Sequence, residues 1–188
     1  MTAEKSLKDS CLSPFGIDLS RAARMSVLVI DDDLSLADFL RQFLEEQQFK
    51  VYTASSGEES LSLIDKVGEI DIALIDYRLP GMDGLETVET ISRRLPDAVM
   101  MVMTGLPTLD SSIRALRLGA SDYILKPFKL EDVAVSLKRA MEEREISMEI
   151  KKLREKVATL EKYNLPPVNV KLNENIKNAT GKNPTAGS

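Results

Sequence analysis

Three aspartates stand where apolar runs of strand length end. Asp31 and Asp32 follow the run at 27–30, and Asp76 follows the run at 70–75. Clustered carboxylates repel one another, and at neutral pH they need a cation to remain together. An oxygen-only set of two or three acids suits Mg²⁺, which keeps several waters and accepts a phosphate oxygen. One acid is then free to act as a nucleophile, because an aspartate can carry a phosphoryl group as an acyl phosphate.

A hydroxyl group and an ammonium group follow two further apolar runs. Thr104 ends the run at 98–103, and Lys126 follows the run at 123–125. Beside a bound cation, these two groups would bind the remaining oxygens of a phosphoryl group. A lone threonine or lysine is usually structural or solvent-exposed, but a strand end shared with three acids favours a functional role for both.

The composition excludes several other kinds of site. The 188-residue chain has no histidine and one cysteine, Cys11, which excludes a disulfide framework, a His/Cys zinc site and a His-based triad. The net charge of −5 gives no basic surplus for a long nucleic-acid footprint. The apolar runs are far shorter than the roughly 20 residues of a membrane span, and the N-terminus lacks a signal-peptide core. We expect a cytoplasmic protein that binds neither nucleic acid nor membrane directly.

Alternating patterns predict five strand–helix units. Each apolar run precedes a segment with the i, i+3, i+4 spacing of an amphipathic helix. The predicted strands lie at 26–30, 50–54, 70–75, 98–103 and 123–125. Such alternation indicates an α/β fold, and five units fit a flavodoxin-like (βα)5 doubly wound parallel sheet with strand order 2-1-3-4-5. The carboxyl ends of its strands share one edge, where the acids, Thr104 and Lys126 would converge.

Four motifs resemble those of the receiver domain of two-component response regulators. They are VLVIDDD at 27–33, ALIDYRLPGMDG at 73–84, MTG at 103–105 and DYILKPF at 122–128. Each is weak alone, but four at the right strand ends and spacings are specific. The resemblance covers about residues 26–140. It implies a phosphoacceptor switch rather than a conventional enzyme, with a sensor histidine kinase or a phosphotransfer protein as its phosphoryl donor.

The resemblance implies a role for each acidic residue. Asp76 would be the phosphoacceptor. Asp31, Asp32 and Asp76 would hold Mg²⁺, with the backbone carbonyl of Arg78 as a further ligand. Asp33 is instead expected to cap the helix that follows it.

The resemblance also implies how the signal is transmitted. Thr104 would bind a phosphoryl oxygen and act as the switch hydroxyl, and Lys126 would pair with the phosphoryl group. Tyr123 would be the switch aromatic, which packs inward when Thr104 is drawn toward the phosphate. The peptide bond between Lys126 and Pro127 would be cis.

Two positions are expected to control the lifetime of the acyl phosphate. Arg78 lies two residues after Asp76, and Leu106 lies two residues after Thr104. The resemblance to receiver domains implies that both flank the path of the attacking water. Arginine only donates hydrogen bonds and leucine offers nothing polar, so neither can accept a proton from water. We therefore predict slow self-dephosphorylation.

The chain is predicted to have four parts, with a coiled coil after the receiver domain. These are a flexible N-terminal segment at 1–24, the receiver domain at 25–140, a helical coiled-coil extension at 141–164, and a disordered tail or linker at 165–188. The extension has apolar residues at spacings of 4, 3, 4 and 3, an a/d pattern over about two heptads. They are Ile146, Ile150, Leu153, Val157 and Leu160. A parallel homodimer is favoured, and an amphipathic helix folded back on its own receiver domain is the alternative.

The sequence leaves the output of the switch open. Phosphorylation would control dimerisation or partner binding, or the chain would be the N-terminal receiver fragment of a longer transcriptional or effector regulator whose output domain is absent. An aspartate-based phosphatase is disfavoured because Arg78 stands where that class has a second acid. A flavin-binding module is disfavoured by the three acids after the first strand, and an inactive scaffold by the intact acid set.

Overall fold

Five strands alternate with helices in the computed structural model, which describes residues 11–106 and 108–162. The elements in chain order are α1 (Leu19–Ala22), β1 (Ser26–Ile30), α2 (Leu34–Glu46), β2 (Lys50–Ala54), α3 (Gly57–Val67), β3 (Ile72–Asp76), α4 (Gly84–Arg94), β4 (Val99–Thr104), α5 (Leu109–Arg117), β5 (Ala120–Leu125) and α6 (Leu130–Lys162). All strand pairs are parallel, and the order is β2-β1-β3-β4-β5. The fold predicted from the sequence is confirmed.

The three central strands are buried along their whole length, which explains their continuous apolar sequences. Every residue of β1, β3 and β4 is buried, as expected for parallel strands covered on both faces by helices. Alternate residues of β1 enter different cores. Val27 and Val29 pack in the cluster that contains residues of α2 and α6, whereas Leu28 and Ile30 pack in the cluster that contains residues of α3, α4 and α5.

The last strand is longer than the sequence predicts. β5 begins at Ala120 rather than Tyr123. It pairs only with β4 and therefore forms an edge of the sheet. Its burial is mixed, with Ala120 buried and Ser121 exposed, so its first half lacks the continuous apolar run that marks the central strands.

The described part of the N-terminal segment, residues 11–24, differs from the flexible segment that the sequence predicts. Ile17 and Ala22 are fully buried in the same cluster as α2 and α6. The ring of Phe15 meets Phe43 edge-on, with centroids 5.1 Å apart. These apolar residues follow no helical or strand period, so the sequence pattern does not reveal that they cover one end of the core.

The helix α6 extends far beyond the sheet-covering length of the other helices. It has 33 residues, and the chain divides into two compact units between Lys151 and Lys152. In the first unit, Val133, Leu137 and Met141 are buried in the core. In the second unit, residues 152–160 are all exposed.

Two sequence expectations for the C-terminal region fall outside the described residues. They are the end of the helix near 164 and the disordered tail or linker at 165–188. The four-part division of the chain remains a prediction. Among the described helices, none combines the length and the apolar character required to cross a bilayer.

Candidate functional site

The backbone continues the parallel ladder just past the strand ends, and this positions the predicted site residues at one edge of the sheet. The N–H of Asp31 donates to the carbonyl of Ala54 at 3.1 Å, and the N–H of Lys126 donates to the carbonyl of Thr104 at 2.7 Å. Asp76 is the last residue of β3 and pairs with Met103 of β4. Asp31, Asp76 and Lys126 therefore lie together at the carboxyl ends of the strands, where the sequence predicts a site.

Three carboxylates converge at this edge. Oxygen atoms of Asp31, Asp32 and Asp76 all lie within 4.8 Å of one another. Asp31 is 1% exposed and Asp76 is 7% exposed, whereas Asp32 is exposed. Asp33 is separate from the cluster, because its carboxylate accepts the N–H groups of Ser35 and Leu36 and caps α2 as predicted.

Lys126 bridges the two buried acids. Its Nζ donates to Oδ2 of Asp31 at 2.6 Å and to Oδ1 of Asp76 at 2.7 Å. Burial acts to lower the pKa of Lys126, but its hydrogen bonds to the two carboxylates outweigh burial and raise the pKa. Burial also raises the pKa of Asp31, although the hydrogen bond from Lys126 opposes that shift. The lysine is therefore held in its charged form against the acids.

Tight loops fix the remaining oxygens of the buried carboxylates. The N–H of Asp33 donates to Oδ1 of Asp31 at 3.0 Å, and the N–H of Arg78 donates to Oδ2 of Asp76 at 3.1 Å. The loop after β3 turns so closely that a Cβ at Gly84 would collide with the backbone carbonyl of Asp76. Glycine is therefore required at this position, a constraint that the quoted motif contains but the sequence reasoning did not assign.

The donor set fits Mg²⁺. The cluster offers only oxygen ligands, and Lys126 neutralises one of three carboxylates, which leaves the site with an excess of negative charge. Mg²⁺ prefers carboxylate oxygens and retains several waters, and the exposed side chain of Asp32 leaves one side of the cluster open for them. Arg78 lies in the adjoining loop, and the role of its carbonyl as a further ligand remains a prediction.

The two predicted switch residues lie on neighbouring strands, β4 and β5. The side chain of Thr104 is buried, and its Oγ1 accepts the N–H of Leu106 at 3.3 Å. Tyr123 is half-buried against the second core cluster. Its hydroxyl lies 3.2 Å from Oγ of Ser111 on α5. The predicted cis bond between Lys126 and Pro127 is present.

Ser111 is a contact of the site that the sequence reasoning missed. It is buried, and its N–H and hydroxyl also complete the capping box of α5 with Thr108. The capping box has a local sequence signature, but the contact between Ser111 and Tyr123 depends on how α5 packs beside β5. No local pattern indicates it.

Comparisons with known proteins agree with this geometry. Residues 27–138 match the family of response regulator receiver domains, in which an acidic triad of this kind is typical of the Mg²⁺ site. The cell cycle response regulator CtrA of Brucella ovis is 34% identical over 109 residues, which cover 58% of this chain and 47% of that protein. The chain thus spans about half the length of the curated relatives it matches.

Solved structures share the fold across the same region. A CheY-like receiver domain protein from Methanospirillum hungatei JF-1 is 31% identical, with a TM-score of 0.62, and the match covers 64% of this chain and 96% of that one. A structure described as an adenylate cyclase from Rhodopirellula baltica is 27% identical, with a TM-score of 0.66, and the match covers 70% of this chain and 97% of that one.

Proposed function

The chain belongs to the response regulator receiver domain family, and we propose that it accepts a phosphoryl group on Asp76 and uses it to switch conformation. The observation that carries this proposal is the position of Asp76. Its carboxylate is buried at the carboxyl end of β3, with one oxygen on Lys126 and two further acids within 4.8 Å. This arrangement joins a nucleophile, a cation and a set of metal ligands in one place.

The proposed transfer uses Asp76 and the polar groups at the same edge of the sheet. A carboxylate oxygen of Asp76 attacks the phosphorus of a phosphohistidine on the kinase or phosphotransfer protein. The new P–O bond forms as the P–N bond breaks, and the electron pair of the P–N bond goes to the partner's imidazole nitrogen, which takes up a proton from solvent. Lys126 and Thr104 then donate to the phosphoryl oxygens. A Mg²⁺ held by Asp31, Asp32 and Asp76 would offset the negative charge of those oxygens.

The proposed output follows from a change of hydrogen-bond partner at Thr104. Its hydroxyl now accepts from Leu106, and a phosphoryl group on Asp76 would draw it toward the site. Tyr123 would then leave Ser111 and pack inward, a population shift between two packings. The surface of α5, β5 and α6 would report this shift. Its exposed apolar residues include Leu109, Leu116 and Leu125.

We propose two kinds of binding partner, the phosphoryl donor and a second copy that pairs through α6. The alternative output is a further domain, as in a longer transcriptional or effector regulator. The matched relatives differ in this respect, because one is a cell cycle regulator and another is described as an adenylate cyclase. A cytoplasmic location completes the proposal.

Phosphorylation with acetyl phosphate and Mg²⁺ tests the acceptor directly. We expect intact-mass spectrometry to show one added phosphoryl group on the wild-type chain and none on Asp76→Ala. Asp110→Ala, which removes an acid from the first turn of α5, is the matched control and should be labelled fully. Wild-type labelling of Asp76→Ala would overturn the assignment.

Hydrolysis of the labelled protein tests the predicted long lifetime of the acyl phosphate. Arg78 and Leu106 are both exposed beside the site, and neither can accept a proton from water. Arg78→Asn supplies an acceptor, so we expect hydrolysis to become severalfold faster. The control is Arg78→Met, which supplies none and should leave the rate near that of wild type. Equal rates for all three proteins would contradict the proposed role of this position.

A further inference from the structure

The first half of α6 packs one face against the receiver domain. The buried residues of this face recur every three or four positions and end at Arg144, whose side chain is 9% exposed. Its Nε donates to Oδ1 of Asp71 at 2.9 Å, and its Nη1 donates to the carbonyl of Asp97 at 3.0 Å. These two bonds fix the rotation of the helix about its own axis at this point.

The residues just after Arg144 show which face points away from the receiver domain. An α-helix turns about 100° per residue, which places Ile146 about 200° and Ile150 about 240° around the axis from Arg144. Both lie on the side opposite the docked face. Ile146 is 62% exposed and Ile150 is 43% exposed. Two β-branched apolar side chains, four residues apart, are thus exposed to solvent on the same side of the helix.

The same spacing continues along the helix. Leu153, Val157 and Leu160 follow at intervals of 3, 4 and 3 residues, and each is about half exposed. A run of five apolar residues at heptad spacing on a helix is typical of a helix that has a helical partner. Ile146 occupies the d position of the heptad that precedes Ile150. The types alternate over the two heptads that begin at Ile150, because the β-branched Ile150 and Val157 occupy a positions and the leucines occupy d positions. This combination favours parallel two-stranded coiled coils.

The charges beside the apolar residues complement a second copy of the same segment. In this heptad assignment Glu149 is at a g position and Arg154 is at the e position of the next heptad. In a parallel pair in register, these two positions lie next to each other across the interface. Glu149 of one copy would therefore face Arg154 of the other, and symmetry repeats the contact twice.

We propose that the apolar heptad positions of α6 pair in parallel and in register with the same positions of a second copy; they are Ile146, Ile150, Leu153, Val157 and Leu160. The proposal gives a geometry to the homodimer of the proposed function, but it does not depend on phosphorylation of Asp76. Because Ile146 and Ile150 are already exposed on the face opposite Arg144, the pairing surface is available before any phosphoryl transfer.

Sedimentation equilibrium of the 188-residue chain tests the pairing. Ile150→Asp places two carboxylates in the interface, so we expect the dimer dissociation constant to rise at least about tenfold. The matched control is Lys152→Asp, which adds the same side chain at a c position outside the interface and should change the constant by less than about threefold. A monomeric wild-type chain at all concentrations, or equal effects of the two variants, would overturn the proposal.

A charge exchange tests the register. Glu149→Arg places like charges together in both symmetric contacts, and Arg154→Glu does the same, so each should weaken the dimer roughly three- to tenfold. The double variant Glu149→Arg/Arg154→Glu restores opposite charges and should recover most of the wild-type affinity. Additive weakening in the double variant would contradict this register.

Oxidative cross-linking tests the orientation. In a Cys11→Ser background, Leu160→Cys should form a disulfide between two copies only if the helices are parallel. An antiparallel pair would instead cross-link Leu160→Cys with Ile146→Cys in a mixture of the two chains, and that result would overturn the proposal. Labelling of Ile150→Asp by acetyl phosphate should remain complete, so a failure of pairing and a failure of the phosphoacceptor are distinguished.

Discussion

The two edges of the sheet carry opposite kinds of polar cluster. At the carboxyl edge, Lys126 pairs with two of three clustered carboxylates and cannot neutralise all three. At the amino edge, Arg144 is held between Asp71 and the carbonyl of Asp97. The first cluster has an excess of negative charge and one exposed acid, Asp32, whereas the charges of the second cluster are paired within the protein itself.

The amino-edge cluster also connects several elements that are far apart in the chain. Asp71 precedes β3, and its Oδ2 accepts both the N–H and the hydroxyl of Ser26, the first residue of β1. Lys151 of α6 donates to Oδ2 of Asp97 at 2.8 Å. A planar guanidinium suits such a fixed, many-partnered position, whereas the compact ammonium of Lys126 suits a site whose partners change. The difference fits the proposed function, in which the carboxyl edge exchanges ligands while the amino edge stabilises the fold.

The largest effect should come from removing the arginine of the satisfied cluster. Arg144→Leu leaves Asp71 without its cationic partner in a half-buried position, so we expect unfolding in urea to show a loss of about 3 kcal/mol. Arg139→Leu is the matched control, because Arg139 lies on the same helix with a side chain that is 71% exposed. It should change stability by about 0.5 kcal/mol or less. Similar losses for both variants would remove the distinction between the two edges.

A smaller loss should follow from neutralising the acid of the same cluster. Asp71→Asn keeps the shape of the side chain but replaces one acceptor with a donor, which then faces the N–H groups of either Ser26 or Arg144. We expect a loss of about 2 kcal/mol by urea unfolding, the value of a hydrogen bond to a charged group. An unchanged or increased stability would show that this edge is not satisfied as its geometry indicates.

The carboxyl-edge cluster could be predicted from the sequence because each of its residues lies at the end of a strand or directly after it. Parallel strands end at a common edge, so the local patterns around Asp31, Asp76 and Lys126 were sufficient to bring these residues together. The sheet order followed from the same alternation of elements. The sequence indicates that a lysine and several acids meet at this edge. It does not show that Lys126 bridges two buried acids.

The amino-edge cluster could not be predicted in this way. Arg144 lies 73 residues after Asp71 in the chain, and its neighbours are charged residues typical of a solvent-exposed helix. Two other features could not be predicted from the sequence for the same reason. They are the packing of the N-terminal segment around Ile17 and the contact of Ser111 with Tyr123. Each depends on a tertiary contact between distant elements that leaves no period in the local sequence, so physical position rather than residue type decides their roles.

The smallest effect, and the one of opposite sign, should come from neutralising an acid at the carboxyl edge. Asp32→Asn is the same chemical change as Asp71→Asn, but it removes repulsion from a cluster with excess negative charge. Without divalent ions we therefore expect a gain of about 0.5 kcal/mol in the free energy of unfolding, since the affected charge is exposed and screened. Mg²⁺ should stabilise the wild-type chain by mass action and stabilise the variant less. Glu142→Gln, an exposed acid on α6, serves as the control and should show neither effect. The opposite result would be a loss of stability in Asp32→Asn together with a full response to Mg²⁺. In that case the excess negative charge at this edge would not be what holds a cation there. The two clusters would then differ only in burial.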